Sequence, residues 1–174
     1  GCGAITGMLC QKAGKVTSVE LSRRRAEINF ARNSEKENLT IMVGNLNDMT
    51  FPENFDYVVV NGVLEYAMSF TEGKTPYETF LKEMGGYLKP EGKLLIAIEN
   101  RLGLKYFAGA PEDHTDIHFF GIDGYPENHS VRTFSKEELG ELLKNSGFPF
   151  LHFYYPYPDY KFPTEIFTDE SLYT

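Results

Sequence analysis

Short apolar and β-branched runs alternate with amphipathic stretches along this chain. Residues 4–13 read as a helix stopped by Gly14, and Lys15–Glu20, carrying Val16, Thr17 and Val19, reads as a short strand. Ser22 is placed to cap a helix over 23–33 that turns Ala26, Ile28 and Phe30 inward. Leu39–Val43 is the next strand and ends at Gly44-Asn45. Tyr57–Val60 is apolar throughout, as in a strand covered on both faces. Pro76 opens a helix over 76–88, Lys89-Pro90-Glu91-Gly92 turns the chain, and Lys93–Ile98 is a further buried strand. Ser135 with Glu138 three residues on forms a capping box for a helix ended by Gly147. Phe148–Tyr155 is predicted as the last strand, because the tail YYPYPDYKFPTEIF has too many prolines for a central one.

Strands and helices in this alternation predict an α/β fold with a doubly wound, mostly parallel, Rossmann-like sheet. Such sheets bind ligands at the carboxyl ends of their strands. Gly1–Gly3, Glu20, Asn45, Asn61 and Glu99–Arg101 all fall at predicted carboxyl ends. The opening GCGAITG reads as a tight turn into a helix, where glycine lets a ligand approach the backbone and the first-turn N–H groups face it. Glu20 follows Gly3 by seventeen residues and closes its strand, the position from which a βαβ nucleotide site grips ribose hydroxyls. Because the chain opens inside that turn, the first strand of the sheet is expected to be missing from it.

Composition narrows the partners. At 174 residues the chain is long enough for a single domain spanning 1–174. Its net charge of −8 disfavours a nucleic acid, and the basic cluster Arg23–Arg25 reads as a solvated helix face. No apolar run approaches the ~20 residues of a membrane span. Cys2 and Cys10 read as unpaired thiols, which suits a cytoplasmic setting. Residues 99–133 carry no regular pattern, a length that belongs to a lid or an acceptor-side binding element. Within them stand Asn100, Arg101, Tyr106, Asp113, His114, Asp116 and His118. HTDIH lacks the Glu of a zinc helix and lies in a loop-like context, so no metal is expected. Neutral His114 is the candidate proton acceptor for an acceptor hydroxyl, its ring held by Asp113 or Asp116, with Tyr106 as the second catalytic candidate. A solvated polar flap is the plainer alternative.

With Glu20, Gly44-Asn45 and FDYVVVNGVLEY in hand, the chain resembles the class I S-adenosylmethionine-dependent methyltransferases from about Gly1 to Phe153. In that family the first strand leads into E-x-G-x-G-x-G, and Gly1 and Gly3 look like its last two glycines. The resemblance implies S-adenosylmethionine lying across Gly1, Cys2 and Gly3. It implies Glu20 on both ribose hydroxyls, Leu21 against the adenine, and Asn45 with Leu46 at the adenine amino group, where relatives usually carry Asp. Asn61 and Gly62 would face methionine and acceptor. Glu65-Tyr66 stands where many relatives have Glu-His. The segments ENRLGLKYFAG, EDHT, VRTF and the aromatic tail also resemble methyltransferase domains attached to bacterial surface-polysaccharide glycosyltransferases. That implies a fragment of a larger fused enzyme in polysaccharide biosynthesis, acting on a small-molecule or saccharide acceptor. Two alternatives stand beside it. A nicotinamide (NAD(P)) oxidoreductase would share the βαβ logic but wants G-x-G-x-x-G, whose third glycine is Thr6 here. The other is a non-catalytic module that kept the fold.

Overall fold

The computed structural model describes residues 1–126 and 130–171, so 127–129 of the long 99–133 segment lie outside the described residues. The chain forms two compact units, Gly1–Pro52 and Glu53–Thr174.

The first unit runs α1 (Ala4–Lys12), β1 (Val16–Glu20), α2 (Arg23–Arg32) and β2 (Leu39–Val43). β1 and β2 pair in parallel from Val16↔Leu39 to Glu20↔Val43. Ser22 caps α2 as expected, its hydroxyl accepting from the Arg25 amide at 3.5 Å. The inward face of α2 is a correction. Ala26 and Asn29 are buried, whereas Ile28 and Phe30 are 44% and 66% exposed. The reason is a set of amide side chains that claims the inner positions. Asn33 Nδ2 donates to the Gly3 carbonyl at 3.0 Å and to Asn29 Oδ1 at 2.9 Å. Asn29 Nδ2 donates to Ser18 Oγ at 3.0 Å, and Asn38 Nδ2 to the Ala13 carbonyl at 2.8 Å. Buried amides must be satisfied, and this network satisfies them by tying the glycine turn to α2.

The second unit runs β3 (Phe55–Asn61), α3 (Ala67–Phe70), α4 (Pro76–Gly86), β4 (Leu88–Ala97), α5 (Leu104–Phe107), α6 (Lys136–Asn145), β5 (Tyr154–Tyr157) and β6 (Glu165–Thr168). β3 and β4 pair in parallel from Tyr57↔Lys93 to Asn61↔Ala97. Pairing already begins at Phe55↔Leu88, so the expected turn at 89–92 sits inside β4 as a bulge opposite Asp56. Lys89 Nζ pins it to Asp56 at 2.8 Å. α4 buries Tyr77, Phe80, Leu81 and Met84, the i, i+3, i+4, i+7 stripe of an amphipathic helix. Tyr77 meets Phe134 edge-on at 5.0 Å. The capping box of α6 is present in full, with Ser135 N donating to Glu138 Oε2 at 2.8 Å.

Two strand expectations change. Tyr57–Val60 is not covered on both faces: Tyr57 is 58% and Val59 40% exposed, while Val60 is buried. The β3–β4 ladder has only two strands among the described residues, and alternate side chains on one face of β3 are left without cover. Phe148–Tyr155 is not a strand as a whole. Pro149 removes a ladder donor early in it, Phe150 is 90% exposed, and pairing begins only at Tyr154. From there β5 and β6 form an antiparallel ribbon within the proline-rich tail. The parallel β–α units nevertheless give the expected Rossmann-like α/β class. No helix among the described residues is long and apolar enough to cross a membrane.

Gly3 carries a test of the amide network. Its φ is +85°, and a Cβ there would stand 2.3 Å from Asn29 Oδ1. Gly3→Ala is expected to lower the unfolding free energy by about 1–2 kcal/mol from the left-handed backbone alone, and by more through displacement of Asn29. Denaturant titration of both proteins measures it; equal stability would show that the turn is not held this way.

Candidate functional site

In the first unit the chain places the glycine turn, the strand-end acid and the β2 exit at one end of the β1–β2 ladder. Gly3 caps α1 in the left-handed conformation. Glu20 closes β1 and is buried, accepting from Ser22 N at 2.8 Å and from the Gly1 amine. Burial works to raise its carboxyl, but the Gly1 amine, the Ser22 N–H and Arg25 outweigh it and hold the group below its ordinary range. Leu21 follows with its side chain 66% exposed. Cys2 is exposed, and its carbonyl accepts from Arg32. Asn45 Oδ1 accepts from Asn47 N at 3.3 Å and opens a 3-10 turn over Leu46–Asp48.

In the second unit the carboxyl ends of β3 and β4 carry the polar chemistry. Asn61 and Gly62 end β3, and Gly62 N donates to the Ala97 carbonyl at 2.9 Å. Gly62 has a φ of +62°, and a Cβ on it would sit 3.5 Å from both Glu65 Oε1 and the Tyr160 hydroxyl. Glu65 and Glu99 are buried. Lys161 Nζ donates to Glu99 Oε1 at 2.8 Å. Asn61 Oδ1, Glu65 Oε2 and Glu99 Oε2 are enclosed with no hydrogen-bond partner among the described residues.

The 99–133 segment is a folded excursion closed at its base. Asn100 bridges Phe134, and Arg101 donates from Nε to Glu138 Oε2 at 2.6 Å and from Nη1 to the Gly121 carbonyl at 3.0 Å. Its centre is Glu112, which is buried. Oε2 accepts from His114 N (2.9 Å), Thr115 N (2.8 Å) and Thr115 Oγ1 (3.0 Å). Oε1 accepts from His114 Nδ1 (2.9 Å) and the Tyr125 hydroxyl (3.2 Å). Burial alone would raise this carboxyl, yet the donors of His114 and Thr115 bring it down to about 2.

His114 therefore sits differently from the sequence expectation. Its ring is held by Glu112, not by Asp113 or Asp116, and Nε2 faces Glu65 Oε1 at 3.8 Å. The two carboxylates push its pKa up to about 10 against the opposing effect of burial, so the ring is cationic at neutral pH and has no free lone pair for a proton. Tyr66 packs edge-on against it at 5.4 Å. Tyr106 is buried with its hydroxyl donating to Asp113 at 2.7 Å, and Asp113 also pairs with Lys105 at 2.6 Å. Burial and that carboxylate raise the phenol well above its ordinary range. Asp116 occupies a turn with φ +59°, and His118 bonds the Gly109 carbonyl at 3.0 Å. Instead, Glu65, Glu99 and His114 bring one ligand-type atom each within 4.8 Å of one another. These three come from separate segments, and Glu112 had no pattern of its own, so spacing could not have found the group.

The family described as "Methyltransferase domain" matches residues 1–96, more than half of the chain. A protein of Bacillus subtilis (strain 168) named "Putative methyltransferase YqeM" is 26% identical over 176 residues, covering 85% of this chain and 70% of its own. Among solved structures, the N-methyltransferase NodS of Bradyrhizobium japonicum WM9 is similar over 57% of this chain with a TM-score of 0.51 and 23% identity. This chain spans 54% of that NodS chain. An S-adenosylmethionine-dependent methyltransferase of Clostridium acetobutylicum ATCC 824 is similar over 84% of this chain and 69% of its own, with a TM-score of 0.60 and 14% identity. The family match defines a methyltransferase domain, and the likeness to these structures is one of fold. The chain belongs to the methyltransferase-domain family. That sets aside the nicotinamide alternative.

Glu112→Gln is expected to lower the titration midpoint of the His114 ring from about 10 toward the ordinary 6.5, followed by ring-carbon shifts in NMR with chelator present. Because the folded-state pKa is the raised one, the stability His114 contributes is complete below about 6.5 and is lost as pH climbs toward 10. An unchanged midpoint would remove Glu112 as the cause.

Proposed function

We propose that this chain transfers a methyl group from S-adenosylmethionine to a small-molecule or sugar-like acceptor, with 1–174 acting as one methyltransferase domain. The nucleoside end of the cofactor is assigned to Gly1, Cys2, Gly3, Glu20, Leu21, Asn45 and Leu46. Glu20 suits ribose hydroxyls because it is a buried carboxylate at a strand carboxyl end. Leu21 offers an exposed apolar face to an adenine. Asn61 and Gly62 are assigned to the methionine end by the family resemblance.

The observation that carries the acceptor side is the enclosed set Asn61, Glu65, Glu99 and His114 at the end of the β3–β4 ladder. Bound S-adenosylmethionine supplies a methyl already activated on a sulfonium, so the protein mainly has to align the acceptor. The unpartnered oxygens of Asn61, Glu65 and Glu99 are acceptors that suit the donor groups of a hydroxyl-bearing molecule. His114, its ring fixed by Glu112 with Nε2 turned toward Glu65, orients that molecule, and the proton leaving it passes to the glutamate side of the pocket. Tyr106 acts at one remove, positioning Asp113. The net charge of −8 supports a partner other than nucleic acid. The resemblance of the tail to domains fused to surface-polysaccharide glycosyltransferases favours a saccharide. Two free cysteines suit a cytoplasmic setting.

Calorimetric titration with S-adenosylhomocysteine is expected to give saturable binding, weakened by roughly 1.5–3 kcal/mol in Glu20→Ala, the range for a lost hydrogen bond to a charged group. Saturable NAD binding without a response to S-adenosylhomocysteine would overturn the cofactor assignment. His114→Ala, assayed with labelled S-adenosylmethionine on a panel of nucleotide sugars and oligosaccharides, is expected to lose turnover while keeping S-adenosylhomocysteine affinity. Unchanged turnover would move the acceptor elsewhere.

A further inference from the structure

We propose that Glu65, Glu99 and His114 form a site for one divalent transition-metal ion. Their ligand atoms lie within 4.8 Å of one another, a spacing that a single ion can bridge. The outer atoms of two of the three are already held in the way metal ligands are held. His114 Nδ1 donates to Glu112 at 2.9 Å, which fixes the ring and turns Nε2 toward Glu65. Glu99 Oε1 accepts from Lys161 at 2.8 Å. What remains on the inner side has no donor: Glu65 Oε2 and Glu99 Oε2 are enclosed and unpartnered among the described residues. Nε2 lies 3.8 Å from Glu65 Oε1, too far for a hydrogen bond.

Enclosed carboxylate oxygens without partners are costly, and here two occur in side chains only 2% and 6% exposed. Two carboxylates and one imidazole suit Mn²⁺ or Zn²⁺ better than Ca²⁺, which prefers six to eight oxygens. Three protein ligands leave a coordination position open, where an acceptor oxygen could be polarised. That catalytic use rests on the function proposed above; the binding of the ion does not.

The test titrates the full chain, stripped with chelator, with Mn²⁺ and separately with Zn²⁺ by calorimetry. One ion per chain is expected. Glu65→Gln and Glu99→Gln should each weaken binding by about tenfold or more, and Asp56→Asn, on the surface bulge, should leave it unchanged. Circular dichroism and S-adenosylhomocysteine titration of each variant exclude misfolding as the cause. As a second readout, Mn²⁺ should broaden the His114 ring resonances of the intact protein. Absence of stoichiometric binding, or equal affinity in all variants, overturns the site. Ion binding in a chain that methylates no acceptor keeps the site and overturns only the proposed function.

Discussion

The second unit depends on one carboxylate. Glu112 is enclosed, and a lone ionised carboxylate in that position would cost several kcal/mol. Five hydrogen bonds from three residues offset that cost and fix the backbone that supplies them. Two bonds from Thr115 and two from His114 wind the chain into a turn around the carboxylate. The fifth comes from Tyr125, whose hydroxyl gives its one proton to Glu112 and accepts from Thr133 N at 3.0 Å and Thr133 Oγ1 at 2.7 Å. The next residue, Phe134, bridges back to Asn100, and Ser135 caps α6. A chain segment of more than thirty residues is thereby closed on itself, and its histidine is delivered to the strand ends with a fixed orientation.

Glu112 also decides what His114 can do. A ring held by one carboxylate and facing a second keeps its proton, so the same interaction that positions the imidazole removes it as a neutral base. The sequence pointed to Asp113 or Asp116 as the holder of this ring, and the structure puts Glu112 there instead. Asp113 lies beside His114 in the chain, yet its side chain goes to Lys105 and Tyr106. Neighbouring positions in an irregular segment project in unrelated directions, so adjacency carries no information about contact.

Legibility follows the same line. The capping box at Ser135, the cap at Ser22, the strand-end position of Glu20 and the parallel β–α alternation were all readable, because each is a local pattern set by backbone geometry. Phe30 misled because hydrophobic residues on a helix normally mark its inner face. Here Asn29 and Asn33, spaced as i and i+4, take that face, and an asparagine pair at helical spacing looks like a solvated surface until its partners Gly3 and Ser18 are known. Glu65 and Glu99 were visible as residues near strand ends, but nothing in the spacing 65, 99, 114 announces a common centre. Their convergence is set by the β3–β4 register and by the Glu112 turn, both of which are tertiary.

The charge of that centre bears on the chemistry proposed for it. Methyl transfer from a sulfonium to a neutral oxygen destroys the positive charge on sulfur while the acceptor gives up a proton. Uncompensated carboxylates would stabilise the sulfonium before reaction more than in the transition state, where its charge is already dispersing, and that differential slows transfer. They would also raise the pKa of an acceptor hydroxyl, because a second negative charge beside them is disfavoured. A cation held by Glu65, Glu99 and His114 reverses both effects: it removes the excess negative charge and favours the ionised acceptor. On the proposed reading, three glutamates around one histidine make sense as a binding frame for positive charge, and the unpartnered oxygens mark the side from which that charge arrives.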